Sequence, residues 1–368
     1  MAKNKEVKSI STITPESKRG IVGKQKPILG IDIGSATIKI VKMKKNYEFN
    51  KWILESVPTG MINQGRIEAI EPLAEIIKNA LKTYKINIKD CALYISGNEV
   101  IVREFILPEM EHEQLLANVS EEIFSMLPTD HEEYVIDYKI LEYIKGEDNE
   151  LGQFRVLVGA IPEELVEDYL DALKKAGLKV RYVDVLPNIT GKLCNYMYKG
   201  NTIDTRRNIC IIDMGAKKTE MVIAKDGDYY LHKLINYGGE YLTSQIASKL
   251  DKDVIEAEEY KCRTNFFTGD KNDPVNKEVY EYFELISRDY IRTMEFYSNR
   301  SGKKVDRIYL MGGGSLLMGL PEYMQEQLGI EVRPISDIFG SYQEVGAVGR
   351  HISIFAQAIG ATFREEWK

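Results

Sequence analysis

Three segments carry residue types and spacings that could do chemistry: Ile28-Leu29-Gly30-Ile31-Asp32-Ile33-Gly34-Ser35-Ala36-Thr37, Ile211-Ile212-Asp213-Met214-Gly215-Ala216-Lys217-Lys218-Thr219, and Ile308-Tyr309-Leu310-Met311-Gly312-Gly313-Gly314-Ser315. Each follows an apolar, β-branched run that reads as a strand. In the first, the strand delivers Asp32 and then Gly34. A carboxylate there can organise a hydrated divalent cation, and a glycine turn lets backbone N–H groups approach phosphate oxygens. The second repeats this about 180 residues later, with Asp213, Gly215 and a hydroxyl at Thr219. In the third, the run Gly312-Gly313-Gly314-Ser315 offers a bare backbone suited to close packing against a flat base and ribose. Together they describe two facing acidic turns and a third wall, a cleft for one nucleotide and Mg²⁺, with Asp32 and Asp213 holding the metal through water.

The elements that must position these turns follow from periodicity. Ile38 to Met43 and Tyr47 to Val57 continue the first strand as a meander. Leu73 to Tyr84 has helical spacing, and Ala92 to Ser96 reads as the next strand. Between Glu99 and Asp184 the pattern gives strand Val100 to Ile106, helix Glu111 to Met126, strands Tyr134 to Tyr143 and Phe154 to Ala160, and helix Pro162 to Ala176 with Gly177 at its C-cap. A helix from Leu186 to Lys199 crosses to a second lobe. There Lys225-Asp226-Gly227-Asp228 makes a hairpin turn between strands Glu220 to Ala224 and Tyr229 to Ile235, and Gly238-Gly239-Glu240 opens helix Tyr241 to Leu250. Ile352 to Phe363 reads as the last core helix.

In order and spacing the three turns resemble those of the actin, Hsp70 and sugar kinase superfamily, and Asp32, Gly34, Ser35 and Lys39 are similar to its first phosphate loop. Arg103-Glu104-Phe105-Ile106-Leu107-Pro108, Glu121-Glu122-Ile123, Leu127-Pro128, Asp137-Tyr138, Ala176-Gly177-Leu178 and Val183-Asp184-Val185-Leu186-Pro187 further resemble the PilM family of type IV pilus assembly, itself related to FtsA. The likeness runs from Ile28 to Phe363. It implies an α/β, two-lobed actin-like ATPase fold of duplicated RNase H-like domains with a small inserted α/β subdomain. The expected division is a disordered basic tail at 1–27, a first subdomain at 28–98 completed by 186–207 and 346–365, the insert at 99–185, and a second lobe at 208–345 with its own insertion at about 240–304.

The resemblance also implies a ligand set: Asp32, Gly34, Ser35, Ala36, Thr37 and Lys39 from the first lobe; Asp213, Gly215, Lys217, Thr219 and Gly239 from the second; Glu258 and Lys261 of Ala257-Glu258-Glu259-Tyr260-Lys261 toward ribose and base; and Gly312, Gly313, Gly314 and Ser315. Hydrolysis needs one more residue, to orient water. Relatives place it near the start of the crossover helix, where this chain offers Asp184 or Asn188, so weak ATPase activity is expected, with ATP acting chiefly to close the lobes. The implied partners are the cytoplasmic N-terminal segment of a PilN-like inner-membrane protein beside the insert, the pilus platform and motor proteins, and self-association through the insert. The alternative readings are an FtsA-like cell-division filament protein and, after it, a small-molecule (sugar) kinase, both of which use the same cleft. No sugar pocket is legible here.

Composition agrees with this reading. The 368 residues, 44% hydrophobic, suffice for two cores of ordinary size. A net charge of −7, dispersed along the chain, argues against a nucleic-acid binder. Cys91, Cys194, Cys210 and Cys262 stand far apart and predict reduced core thiols and a cytoplasmic address. No window offers the 18 or so consecutive apolar residues of a membrane span, so membrane contact is expected to be indirect. Residues 1–27 carry a net charge of +5 with little apolar periodicity.

Overall fold

The computed structural model describes residues 26–44, 49–127, 133–146, 151–199, 207–339 and 352–363, with short paired segments at 19–20 and 366–367. Most of the expected basic tail, and 340–351 with it, lies outside the described residues. Along the chain run β1 (Ile28–Ile33), β2 (Thr37–Met43), β3 (Phe49–Ser56), α1 (Ile70–Thr83), β4 (Asp90–Tyr94), β5 (Ile101–Pro108), α2 (His112–Met126), β6 (Tyr134–Ile144), β7 (Gln153–Pro162), α3 (Glu163–Lys175), β8 (Lys179–Asp184) and α4 (Leu186–Lys199). The second half holds β9 (Ile209–Met214), β10 (Thr219–Lys225), β11 (Asp228–Ile235), α5 (Gly239–Leu250), α6 (Val254–Arg263), α7 (Pro274–Ser301), β12 (Arg307–Met311), α8 (Leu320–Leu328), β13 (Glu331–Pro334) and α9 (Ala356–Thr362).

The duplication is visible in strand order. The first sheet runs β8-β4-β1-β2-β3 and the second β13-β12-β9-β10-β11; in each, three parallel strands are followed by two antiparallel ones. Asp32 and Asp213 thus occupy equivalent places near the carboxyl ends of the central strands β1 and β9. Both strands are buried along their whole length, as apolar runs covered on two faces should be.

What covers them differs by face. On the outer side of the first sheet, Leu29, Ile31 and Ile33 pack with α1 and α3 through Leu73, Ile77 and Leu173. On the outer side of the second, Cys210 and Ile212 meet α5, α7 and α8 through Ile246, Phe283 and Met324. Between the sheets a single core joins Val41, Ala92, Ile211 and Val222 to α4 (Ile189, Leu193) and to the segment Ile352 to Phe363. Both connections between lobes therefore lie inside one shared apolar layer. Gly30 makes this possible in the first lobe, because a Cβ on it would collide with the carbonyl oxygen of Ala358 and lift α9 off the strand.

Residues 99–185 contribute to two cores. Leu107, Phe154, Val156 and Val158 of the β5-β7-β6 sheet form a separate core with Leu115, Val119 and Ile123 of α2. The buried side of α3 (Leu165, Tyr169, Leu173) instead joins the first-lobe core, and β8 pairs in parallel with β4. Sequence pattern shows that these elements exist but not which sheet they cover.

Local expectations fare unevenly. Asp226 (φ 53°) and Gly227 (φ 88°) are left-handed at the tip of the β10–β11 hairpin, as the turn residues require. Cys91, Cys194 and Cys210 are buried free thiols, whereas Cys262 is exposed, contrary to expectation. The 28-residue α7 has no counterpart in the pattern analysis, because Tyr282, Tyr290, Thr293 and Tyr297 form much of its buried stripe and blur the apolar period. Its ends are well specified: the Asp273 side chain accepts from the Val275 and Asn276 N–H groups, and Gly302 closes the helix in the left-handed region.

Candidate functional site

The two acidic turns are near copies. In the first, Gly34 N–H donates to the Thr37 carbonyl at 3.0 Å; in the second, Gly215 N–H donates to the Lys218 carbonyl at 2.9 Å. Register places Lys39 across from Asp32 on β2 and Glu220 across from Asp213 on β10. The Lys39 ammonium sits 3.0 Å from Asp32 Oδ2 and hangs over the Gly34 turn, where a Cβ would lie 3.2 Å from it. Glu220 takes the mirrored place with opposite charge. Ser35, Ala36 and Thr37 form the turn itself: the Ala36 and Thr37 carbonyls accept from Val57 and Gly34, and Ala36 is exposed.

Glu220 has the strongest electrostatic setting in the cleft. Burial alone would raise its carboxyl, but Lys218 at 3.0 Å and His232 Nε2 at 3.0 Å outweigh this and hold it down at about 2. From the other lobe, the Tyr94 hydroxyl lies 3.4 Å from Glu220 Oε1. A second link between lobes runs from Lys217 Nζ, which donates to the Ile62 carbonyl at 3.3 Å. The turn of one lobe thus touches the other lobe at two places.

Asp213 is the opposite case. Burial, then the charges of Glu220 and Asp32, push its carboxyl up to about 7, against a hydrogen bond from Gln357 and the charge of Lys39. Its Oδ1 is buried with no hydrogen-bond partner. It lies beside Gly312 (φ 82°), where any Cβ would collide with it. Gly314 also packs on Met214, but a Cβ on Gly313 would meet nothing within 4 Å, so this glycine borders open space. Ser315 is turned inward, its hydroxyl donating to the Gly312 carbonyl at 2.7 Å, so it shapes the loop and does not face the cleft.

The remaining expected ligands fall into two groups. Gly239 abuts the second turn: its N–H donates to the Gly215 carbonyl at 3.0 Å, and that of Glu240 to Ala216 at 2.8 Å. Lys261 Nζ reaches Glu258 Oε2 at 2.6 Å, the Thr243 hydroxyl at 2.7 Å and the Gly239 carbonyl at 3.2 Å, so the pair docks α6 onto the start of α5 at the cleft edge. Thr219, by contrast, is fully buried and donates to the Tyr237 carbonyl at 2.8 Å. Both candidates for orienting water have their oxygens engaged within the protein. Asp184 Oδ1 accepts from Val185 N–H at 3.0 Å and Asn188 Nδ2 at 2.9 Å while Oδ2 pairs with Lys192, and Asn188 Oδ1 accepts from Lys139 at 3.2 Å. Both residues fasten the start of α4.

The residues fit a nucleotide with a hydrated cation. Two carboxylates stand at the ends of equivalent strands, one with a buried oxygen that lacks a donor, and three glycines bring backbone to the same place. Among the described residues there is no cluster of three or more His, Cys, Asp or Glu able to hold a metal.

Residues 30–364 match the family of type IV pilus assembly protein PilM. The chain belongs to the PilM family. A solved PilM–PilN type IV pilus biogenesis complex superposes on this PilM-family chain with a TM-score of 0.78 at 24% identity, covering 91% of this chain and 97% of that one. MreB5 of Spiroplasma citri bound to ADP gives a TM-score of 0.52 at 13% identity over 91% and 94% of the two chains. Cell division protein FtsA of Streptococcus pneumoniae serotype 2 (strain D39 / NCTC 7466) is 22% identical over 83% of this chain and 74% of its own length. The fold is the actin-like ATPase fold.

Pattern analysis missed Tyr94, Glu220 and Gln357. Glu220 has a signal in sequence: it stands seven residues after Asp213, as Lys39 stands seven after Asp32.

Proposed function

We propose that this chain is a cytoplasmic, nucleotide-responsive scaffold of type IV pilus assembly, peripheral to the inner face of the membrane. In this role it grips the N-terminal segment of a PilN-like inner-membrane protein and connects that platform to the pilus motor. The observation that supports it most is the pair of mirrored acidic turns, with the unpartnered Asp213 Oδ1 between them, in a chain of the PilM family. ATP with Mg²⁺ would supply a polyanion and a hydrated cation that draw the two turns together.

On the protein side, Asp32 and Asp213 hold the cation through its water. Lys39 neutralises phosphate, and the Gly34, Gly215 and Gly239 backbones approach it. The Tyr94–Glu220 and Lys217–Ile62 contacts hold the lobes together, so a ligand that strengthens or releases them shifts the population of closed molecules. The insert joins this system at its base: Arg66 reaches the carboxylate of Glu99, at the entry to β5, and Glu164 of α3 at 3.0 Å. Strand β5 is an edge strand of the insert, with Arg103 exposed and Phe105 partly buried against the insert core. An exposed strand edge can receive an extended peptide segment.

The test is calorimetric titration of the protein with a PilN-like N-terminal peptide, with and without MgATP, in wild type and Arg103→Ala. We expect weaker peptide binding in the variant and an affinity that depends on nucleotide. Peptide affinity unchanged by Arg103→Ala would overturn the placement of the groove, and no peptide binding at all would overturn the reading.

A further inference from the structure

Gln357 is the sole strongly polar side chain on α9, a helix otherwise made of Ala, Ile, Gly and Thr and buried along its whole length. Such a residue is expensive to bury unless its amide is satisfied on both sides. One side is provided for, with the amide facing the Asp213 carboxylate. The other is not, since Gln357 Oε1 is buried without a partner in a residue only 3% exposed. Its neighbour Asp213 Oδ1 is likewise buried and without a donor. Two acceptors left unmatched beside each other call for donors, and anions or carbonyl groups have none. Water molecules bound to a divalent cation are strong donors.

The path of the chain brings Gln357 there. Ser353, four residues earlier, accepts the Gly312 N–H at 3.1 Å, and Ala358 lies on Gly30, two residues before Asp32. This segment therefore touches all three glycine-bearing motifs where they converge. We infer that Gln357 is a positioning residue for the hydrated cation: its amide N–H fixes the Asp213 carboxylate and its Oε1 accepts from a metal-bound water. Because α9 lies in the apolar layer between the sheets, cation binding is thereby linked directly to a connection between the lobes. The inference rests on the nucleotide reading above.

The test uses the full chain and two variants, Gln357→Leu and Gln357→Glu, titrated with the non-hydrolysable ATP analogue AMP-PNP in Mg²⁺ and in EDTA. In Gln357→Leu, affinity in Mg²⁺ should fall roughly tenfold, the loss expected for one hydrogen bond to a charged partner, while affinity in EDTA stays within about twofold. Gln357→Glu keeps the shape and adds a carboxylate, so the ratio of affinities with and without Mg²⁺ should rise. Equal losses in both buffers, or none, in Gln357→Leu would overturn the inference, as would an unchanged ratio in Gln357→Glu. A wild-type protein silent to AMP-PNP in Mg²⁺ would instead overturn the nucleotide reading and this inference with it.

Discussion

Replacing Glu220 by Gln tests the cleft's electrostatics without touching a proposed metal ligand. Glu220 is 5% exposed and balanced by Lys218 and His232, with a carboxyl lowered from 4.5 to about 2. A lowered folded pKa means that ionised Glu220 stabilises the fold above the unfolded value and ceases to do so as pH falls through the folded one. A difference of about 2.5 pH units corresponds to about 3 kcal/mol at neutral pH. Glu220→Gln should therefore lower stability at pH 7 by about 3 kcal/mol, since the Lys218 ammonium is left buried and unmatched. The assay is urea unfolding followed by circular dichroism. Near pH 3, where the unfolded carboxyl is already protonated, the gap between wild type and variant should shrink to roughly half. A cost below about 1 kcal/mol at pH 7, or a gap equal at the two pH values, would refute the argument.

Other consequences follow from packing. Gly30→Ala places a methyl group against the Ala358 carbonyl, two pieces of backbone with no easy relaxation, and should cost about 3 kcal/mol in the same unfolding assay. Lys192→Met leaves the Asp184 carboxylate buried without its ammonium and should cost about 3 kcal/mol or more, read from the urea midpoint. Lys217→Met removes the contact to Ile62 without altering either core, so stability should change by less than about 0.5 kcal/mol. Small-angle scattering should nevertheless show a more open molecule.

The acidic turns could be read from sequence because each is local: a β-branched strand, an aspartate, a glycine, in that order. Elements whose apolar period is strong, such as α1 and the β10–β11 hairpin, emerged within a few residues of their observed bounds. Long-range choices could not be read. Thr219 and Ser315 have the right type and spacing for ligands, yet each hydroxyl turns to a nearby carbonyl, a decision made by the packing around it. Asp184 is the sequence's candidate for orienting water, but the Lys192 ammonium of α4 pairs with its second oxygen. The packing of α3 on the first lobe is equally hidden, because its ordinary amphipathic pattern does not say which sheet it faces. Gln357 does not stand out because eight of the twelve residues from Ile352 to Phe363 are apolar and the stretch reads as a core helix. That single amide in an apolar stretch was the signal available.

The central claim is that the mirrored turns form a Mg²⁺-nucleotide site whose occupancy sets how the insert meets its partner. The most direct measurement is titration of wild type and Asp213→Ala with MgATP, each with and without a PilN-like peptide present. The account predicts MgATP binding in wild type that is lost in Asp213→Ala, and a peptide affinity that MgATP changes in wild type alone. Peptide binding indifferent to MgATP, with nucleotide bound equally by both proteins, would contradict it.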